Sequence, residues 1–171
     1  MFPMSDGDPT APRKGRPFTA FRRYLDLVGD QGDLASPPEP EEERGDYESG
    51  VVRLGSAVWR LRTARVTPTK PGAFVAVWRR DDQGETRPFR CDESTAGLLV
   101  FVQDRTRFGV FRFTSAHLAD LGVTQSPAHP GKRGFRVYPA WCRGINPQAE
   151  RTQRAQASAF TELGSQPGPV R

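Results

Sequence analysis

The chain has 171 residues, 36% hydrophobic and 26% charged, a composition that fits one globular domain with tails. Its net charge is +5, which favours a polyanionic partner. All but three of the 25 basic residues are arginine, which either suits phosphate recognition or reflects genomic base composition. The longest apolar run, residues 96–102, is too short to cross a bilayer, and two cysteines do not make a disulfide framework. Since the start of the chain lacks a secretory pattern, we expect a cytoplasmic protein that does not bind membranes.

The N-terminal third is predicted to contain a tail, a helix and a linker. Residues 1–16 are rich in Pro, Gly and Asp and are predicted to be disordered. Apolar residues at helical spacing predict an amphipathic helix over residues 17–28, which packs either on the domain or in the groove of a protein partner. Residues 30–46 form an acidic, proline-rich linker. The linker is either a solvated spacer or a segment that binds a partner or competes with nucleic acid for a basic surface.

From Tyr47 onward, alternating apolar and polar residues predict strands. The predicted strands are residues 51–54, 57–65, 73–80, 86–90, 97–103 and 107–113, with a last one within 132–139. Thr114 or Ser115 caps a short helix that ends before Gly122. We therefore predict an α+β fold with a mixed, mostly antiparallel curved sheet, flanked by N-terminal, short central and C-terminal helices.

The last helix is predicted to begin at the cap Asn146 and to end at Gly164. The predicted single domain covers residues 17–163, and residues 164–171 are predicted to be a disordered tail. Two glutamines, Gln153 and Gln156, interrupt the apolar stripe of this helix. They are either buried and hydrogen-bonded to backbone at a sheet edge or directed at a ligand.

The stretch of residues 59–80 organises the predicted sheet, because it joins two strands through the turn Thr67-Pro68-Thr69-Lys70-Pro71-Gly72. The prolines fix φ and restrict the residues before them, and the glycine can adopt a positive φ. The turn therefore presents Thr67, Thr69 and Lys70 in nearly one conformation. With arginines on both strands, this pattern indicates an anion-binding surface.

Several motifs resemble the MepB family. They are residues 62–75, 78–80, 109–113 and 131–141, together with Ala149, Gln153, Gln156 and Phe160. The resemblance covers roughly residues 42–160, with Arg65 in place of the family's usual lysine and Ala155 in place of an aromatic residue. It implies a bacterial, cytoplasmic α+β protein from a multidrug efflux operon, similar to DNA-handling, restriction-endonuclease-like proteins.

We predict non-catalytic, sequence-tolerant DNA binding, since cations and hydroxyls beside glycine-rich turns suit phosphate contacts. The predicted contact residues are Arg62, Arg65, Thr67, Thr69, Lys70, Arg79, Arg80, Lys132, Arg133 and Arg136. Arg62 and Arg65 lie on opposite faces of an ideal strand, so both serve only if the strand bends or twists near Pro68. Four aromatic residues either stack on bases or belong to the core: Trp59, Trp78, Tyr138 and Trp141.

A divergent magnesium-dependent nuclease is one alternative. Such sites commonly carry Asp/Glu-x-Lys, but the residues two before the three lysines are Pro12, Pro68 and Pro130, so we predict no enzyme activity. Three upstream carboxylates, at Glu42, Glu43 and Asp46, are the candidates to act with Lys70.

The other alternative is an accessory protein of a drug-efflux system that binds a small molecule or a protein. The residues that would line its pocket, or form a plain core, are Phe108, Phe111, Phe113, Phe135 and Tyr138. No metal or cofactor site is predicted, because Cys91, His117, His129 and Cys142 lack ligand spacing.

Overall fold

The structure is a computed structural model of the chain, and it describes residues 18–29, 34, 36–41 and 47–165. The predicted tail 1–16, most of the linker 30–46 and residues 166–171 of the predicted C-terminal tail lie outside the described residues. No helix in the described part of the chain is long and apolar enough to cross a membrane.

Three α-helices and eleven strands are formed by the described residues. The helices are α1 (Thr19–Val28), α2 (Ser115–Asp120) and α3 (Pro147–Gln156). The strands are β1 (Glu39–Pro40), β2 (Gly50–Leu54), β3 (Ala57–Thr63), β4 (Arg65–Val66), β5 (Ala73–Ala76), β6 (Trp78–Arg80), β7 (Thr86–Pro88), β8 (Gly97–Asp104), β9 (Arg107–Thr114), β10 (Gly134–Val137) and β11 (Phe160–Ser165).

The central sheet has six strands in the order β1-β2-β3-β8-β9-β11. Its neighbouring strands are antiparallel except β3 and β8, which are parallel. A three-stranded sheet of order β10-β5-β4 and a ribbon of β6 and β7 are separate from it. The α+β class with a mixed, mostly antiparallel sheet, predicted from the sequence, is confirmed.

The two faces of the central sheet are covered by different layers. On one face, α1 packs through Phe21 and Leu25 in a cluster with Trp59 and Phe101. On the other face, the three-stranded sheet and residues of the central sheet share a second cluster, with Val75 fully buried in it. The N-terminal helix therefore packs on the domain, which is the first of its two predicted positions.

The predicted strand 57–65 is divided between the two sheets. It leaves the central sheet at Ala64, which is buried, and continues as β4 beside β5. The predicted strand 73–80 is likewise interrupted, at Val77. This change of sheet places Arg62 and Arg65 in different layers of the protein.

The prediction that the last helix runs to Gly164 is wrong. The helix ends at Gln156, one turn of 3-10 helix follows, and the chain then becomes β11, which pairs antiparallel with β9. Glycine at position 109 makes this pairing possible, because a Cβ there would lie 2.6 Å from the Phe160 ring. Backbone hydrogen bonding along the edge of β9 thus overrides the helical pattern.

Both glutamines of α3 bind backbone, Gln156 at the edge of β10 and Gln153 in the segment that follows it. The first of their two predicted positions, buried at a sheet edge, is thus confirmed for Gln156, whereas Gln153 is half-buried. The Gln156 side chain accepts from Tyr138 N at 2.9 Å and donates to Arg136 O at 2.8 Å. The Gln153 amide donates to the carbonyls of Pro139 and Cys142 at 2.9 and 3.1 Å. Since Gln156 is only 1% exposed, it fixes β10 against the helix where water has no access.

We expect Gln156→Leu to lower the free energy of unfolding by about 2–5 kcal/mol, because it leaves one N–H and one C=O of the β10 edge without a partner. Chemical denaturation measures the change. Gln148→Leu is the matched control, because Gln148 is exposed on the same helix. Equal stability of the two variants would show that the Gln156 hydrogen bonds contribute nothing.

Candidate nucleic-acid interface

The outer face of the three-stranded sheet carries two arginines on either side of an aromatic ring. Phe74 of β5 pairs with Arg65 of β4 on one side and with Arg136 of β10 on the other. Directly paired residues project to the same face of a sheet. The neighbouring Val75 and Val137 are fully buried and face the core, so the row of Arg65, Phe74 and Arg136 faces away from it.

The turn between β4 and β5 is fastened to Arg136. The guanidinium donates to Pro71 O at 3.1 Å and to Thr67 Oγ1 at 2.8 Å. Gly72 adopts a φ of 76°, and a Cβ there would lie 2.6 Å from Val137 O, so glycine is required at this close approach. The turn is therefore held in one conformation beside β10, and Arg136 is oriented before any ligand arrives.

Within the turn, the three predicted polar residues differ in their surroundings. The Thr67 hydroxyl is half-buried and already accepts from Arg136, so it orients that cation. Thr69 and Lys70 are exposed. Among the described residues, no carboxylate lies within ion-pair distance of Lys70 or Arg136. Lys70 and Arg136 therefore present positive charge on this face.

A second group of cations lies towards the ribbon of β6 and β7. Arg133 accepts through its carbonyl from Val77 N at 2.9 Å, which places it where β5 passes into β6. Its guanidinium donates to Thr86 Oγ1, and Thr86 pairs with Arg80 across the ribbon. Arg80 lies 5.1 Å from the centre of the Trp78 ring. Arg80 is eight residues beyond Gly72, so it lies at most about 26 Å from the end of the turn, at about 3.3 Å per residue.

Arg62 does not belong to this surface, which corrects the predicted contact set. Its side chain is fully buried, and its guanidinium donates to both oxygens of Glu41 at 3.0 and 3.1 Å. It also donates to Ala76 O at 3.1 Å and Leu61 O at 2.8 Å, so it joins the two sheets. A phosphate cannot reach it.

Arg79 is also removed from the predicted set. The side chain is half-buried, and its Nε lies 3.7 Å from a carboxylate oxygen of Glu93. The same carboxylate binds Arg60 at 2.6 Å. The Nε of Arg79 is buried, and the side chain is held beside a carboxylate that already binds Arg60, so Arg79 is a poorer phosphate contact than the exposed arginines.

The β6–β7 turn neutralises another cation. The Asp81 carboxylate accepts from Arg87 at 3.0 Å and from two backbone N–H groups of the turn, at Gln83 and Glu85. The hydrogen bond from Arg87 has the largest effect, and with the two backbone hydrogen bonds it lowers the pKa of Asp81 below its usual value. Arg87 therefore stabilises the turn and contributes little to an anion site.

The aromatic residues predicted to stack on bases are distributed over different parts of the protein. Trp59 is buried on the α1 side of the central sheet, and Trp141 packs edge-on against Phe160. Tyr138 and Trp78 are half-exposed, and Tyr138 follows β10 directly. The sequence analysis missed Phe74, because its place between two arginines depends on the register of three strands.

The described residues include no group of three or more His, Cys, Asp or Glu side chains that could hold a metal ion. Glu42, Glu43 and Asp46, the carboxylates of the nuclease alternative, lie outside the described residues. Burial raises the pKa of the Cys142 thiol, which disfavours the reactive thiolate.

A mixed central sheet, with a helix on one face and a smaller sheet on the other, defines a small α+β protein with a basic, aromatic outer face. The chain belongs to the MepB-like family, whose model matches residues 41–162. It is similar to a solved structure described as the crystal structure of MepB, with 27% identity over 87% of this chain and 99% of that one, and a TM-score of 0.76. No curated protein sequence matches the chain.

The family predicted from the sequence motifs is thus confirmed. The DNA partner, the relation to restriction-endonuclease-like proteins and the role beside an efflux pump stay predictions, and the geometry of the outer face supports the first of them.

Proposed function

We propose that the protein binds DNA without cleaving it, and with little regard to sequence, through the outer face of its three-stranded sheet. The observation that carries the proposal is that Lys70 and Arg136 come together beside Arg65, with no carboxylate of the described residues within ion-pair distance of Lys70 or Arg136. β4, the turn and β10 each supply one of these cations. The proposal places the protein in the cytoplasm, where DNA is available to it.

The orientation of Arg136 supports a phosphate contact. Its two hydrogen bonds to the turn use neutral oxygens, at Pro71 and Thr67, so its positive charge is not cancelled by them. A cation that is oriented in advance loses less conformational entropy when it binds an anion. The planar guanidinium also offers further N–H donors in the geometry that phosphate oxygens accept.

The chemical types on this face support tolerance of sequence. The proposed contacts are charges and hydroxyls, which bind the phosphates that all DNA sequences share. The proposed contact residues on this face are Arg65, Thr69, Lys70 and Arg136, with Thr67 orienting Arg136. Arg80, Lys132 and Arg133 are proposed to extend the contact beyond this face, towards the ribbon of β6 and β7. Base-specific binding commonly requires an element that enters a groove, and this face is a sheet surface.

Fluorescence anisotropy with labelled 20-nucleotide DNA tests the proposal. We use two unrelated sequences, each as a single strand and as a duplex, at about 50 mM salt, where phosphate contacts are strong. We expect both sequences to bind with similar affinity. Lys70→Ala/Arg136→Ala should weaken binding on the order of 100-fold, at about tenfold for each charged contact.

The matched control is Arg22→Ala/Arg112→Ala, which removes the same charge from the opposite side of the protein. Arg22 is an exposed residue of α1, and Arg112 lies 4.7 Å above Trp59 in the α1 layer. An equal loss of affinity in both double variants would mean that only net charge matters, and it would overturn the proposed surface. No binding of any DNA by the wild type would overturn the function.

Incubation of the DNA and protein with magnesium distinguishes the proposal from the nuclease alternative. Binding mixtures are incubated with and without about 5 mM magnesium, an excess that fills a weak site, and the DNA is then run on a denaturing gel. Intact DNA is the expected result. Cleavage that requires magnesium and is lost in Glu43→Gln would show a nuclease instead.

A further inference from the structure

We propose that Phe74 and Tyr138 form a base-stacking platform, so that the outer face binds single-stranded DNA in preference to duplex. This inference rests on the proposed function and names the form of DNA that the surface takes. The evidence for it is the position of the two rings on the sheet, because a surface that binds DNA by charge alone would not require aromatic rings there.

Each ring lies across a glycine: Phe74 across Gly134 of β10, and Tyr138 across Gly72 in the turn before β5. A Cβ at Gly134 would lie 2.5 Å from Cζ of Phe74, and a Cβ at Gly72 would lie 2.8 Å from Cδ1 of Tyr138. Any other residue at either position would push the ring off the sheet. Each ring can therefore rest against bare backbone, and both side chains remain half-exposed on the outer side.

The two rings lie towards opposite ends of the same face, Phe74 over Gly134 and Tyr138 over Gly72. Tyr138 is two residues beyond Arg136, so strand alternation carries both side chains to the face that holds Phe74. Tyr47 adds a third ring, which meets Phe74 at a steep angle with the ring centres 6.4 Å apart. An aromatic surface of this kind can receive the flat faces of successive bases.

The cations are placed to hold the backbone of a strand that stacks on these rings. Arg65 and Arg136 lie one strand to either side of Phe74, a separation of about 10 Å at 4.8 Å per strand. A strand whose base rests on Phe74 therefore has Arg136 beside it for a phosphate contact, with Arg65 on the opposite side of the ring. Lys70 adds charge at the end of the face where Tyr138 contacts Gly72.

Duplex DNA cannot use the rings. Its bases already stack on one another and present only their edges in the grooves, so the flat ring faces gain nothing from them. The cations attract both forms, whereas the rings favour only unpaired bases. This difference is the physical basis of the expected preference.

The test compares three labelled DNA ligands, each 12 nucleotides long: a single strand, a duplex, and an abasic deoxyribose-phosphate strand of the same charge as the single strand. Wild type should bind the single strand most tightly. Phe74→Leu should weaken that binding about 5- to 150-fold, the conversion of about 1–3 kcal/mol per stacked base. Its affinity for the duplex and the abasic strand should stay within about twofold of wild type, because the phosphate contacts remain.

Phe74→Trp is the control that keeps a stacking ring and should bind the single strand as wild type does. Tyr138→Leu gives a second, independent variant, and a thermal unfolding curve confirms that each variant is folded. A strand with 2-aminopurine should lose fluorescence on binding wild type but not Phe74→Leu. These results together would support a stacking platform.

The outcomes separate the two proposals. Failure of the wild type to bind any of the three ligands would overturn the proposed function and this inference with it. Equal binding of all three, unchanged in Phe74→Leu, would overturn only the stacking platform. An RNA strand of the same sequence that binds more tightly than DNA would overturn the assignment to DNA.

Discussion

Replacing Arg62 with alanine should lower the free energy of unfolding by about 3–5 kcal/mol, the cost of removing one partner from a buried ion pair. The side chain is fully buried and connects β3, the segment at Glu41 and the end of β5 at Ala76. Without it, the Glu41 carboxylate, only 15% exposed, loses two hydrogen bonds. The carbonyls of Leu61 and Ala76 each lose a donor as well.

Chemical denaturation measures this change, and Arg22→Ala is the control because an exposed arginine contributes within about 0.5 kcal/mol. The free energy of unfolding of Arg62→Lys should lie between those of Arg62→Ala and Arg22→Ala. Lysine keeps the charge but cannot bind both carboxylate oxygens and a carbonyl at once. Arg62→Ala that is as stable as Arg22→Ala, yet binds DNA poorly, would return Arg62 to the interface and refute its structural role.

The affinity of the wild type for DNA should fall about 300-fold for a single strand and about 2,000-fold for a duplex between 50 and 200 mM salt, if about six phosphates are neutralised. The cations that remain after Arg62 and Arg79 are removed are Arg65, Lys70, Arg80, Lys132, Arg133 and Arg136. Each phosphate contact releases bound counterions, so added salt opposes binding.

The same titration distinguishes the other classes of function. An affinity that salt leaves unchanged would indicate contacts made by apolar groups, as in a small-molecule or protein-binding accessory protein. Substituting a non-interacting neutral solute at equal osmolality is the control for general solvent effects. Only the salt series should change the affinity.

The periodicity of the sequence was sufficient to predict most elements, because a side chain's burial follows directly from its position on a strand or helix. The alternation over residues 73–77 placed Phe74 and Val75 on opposite faces, as the structure has them. Periodicity does not reveal which strands pair. Ala64 fits one continuous strand, yet there the chain passes from one sheet to the other.

The candidate site was harder to predict from the sequence than the fold, because charge is neutralised by residues that are distant in sequence. Arg62 and Glu41 are 21 residues apart, and Arg60 and Glu93 are 33 apart. The sequence shows the cations but not the carboxylates that fold onto them. The role of Phe74 was likewise hidden, since it depends on the pairing of β5 with both Arg65 and Arg136.

The central claim, that Lys70 and Arg136 contact phosphates on one face, is tested most directly by the salt dependence of the variants. The slope of log affinity against log salt should become shallower by about 1.4 for a single strand or 1.8 for a duplex in Lys70→Ala/Arg136→Ala, since two contacts are lost. In Arg22→Ala/Arg112→Ala it should match the wild type. A slope that is unchanged in the first variant, or reduced equally in both, would contradict the claim.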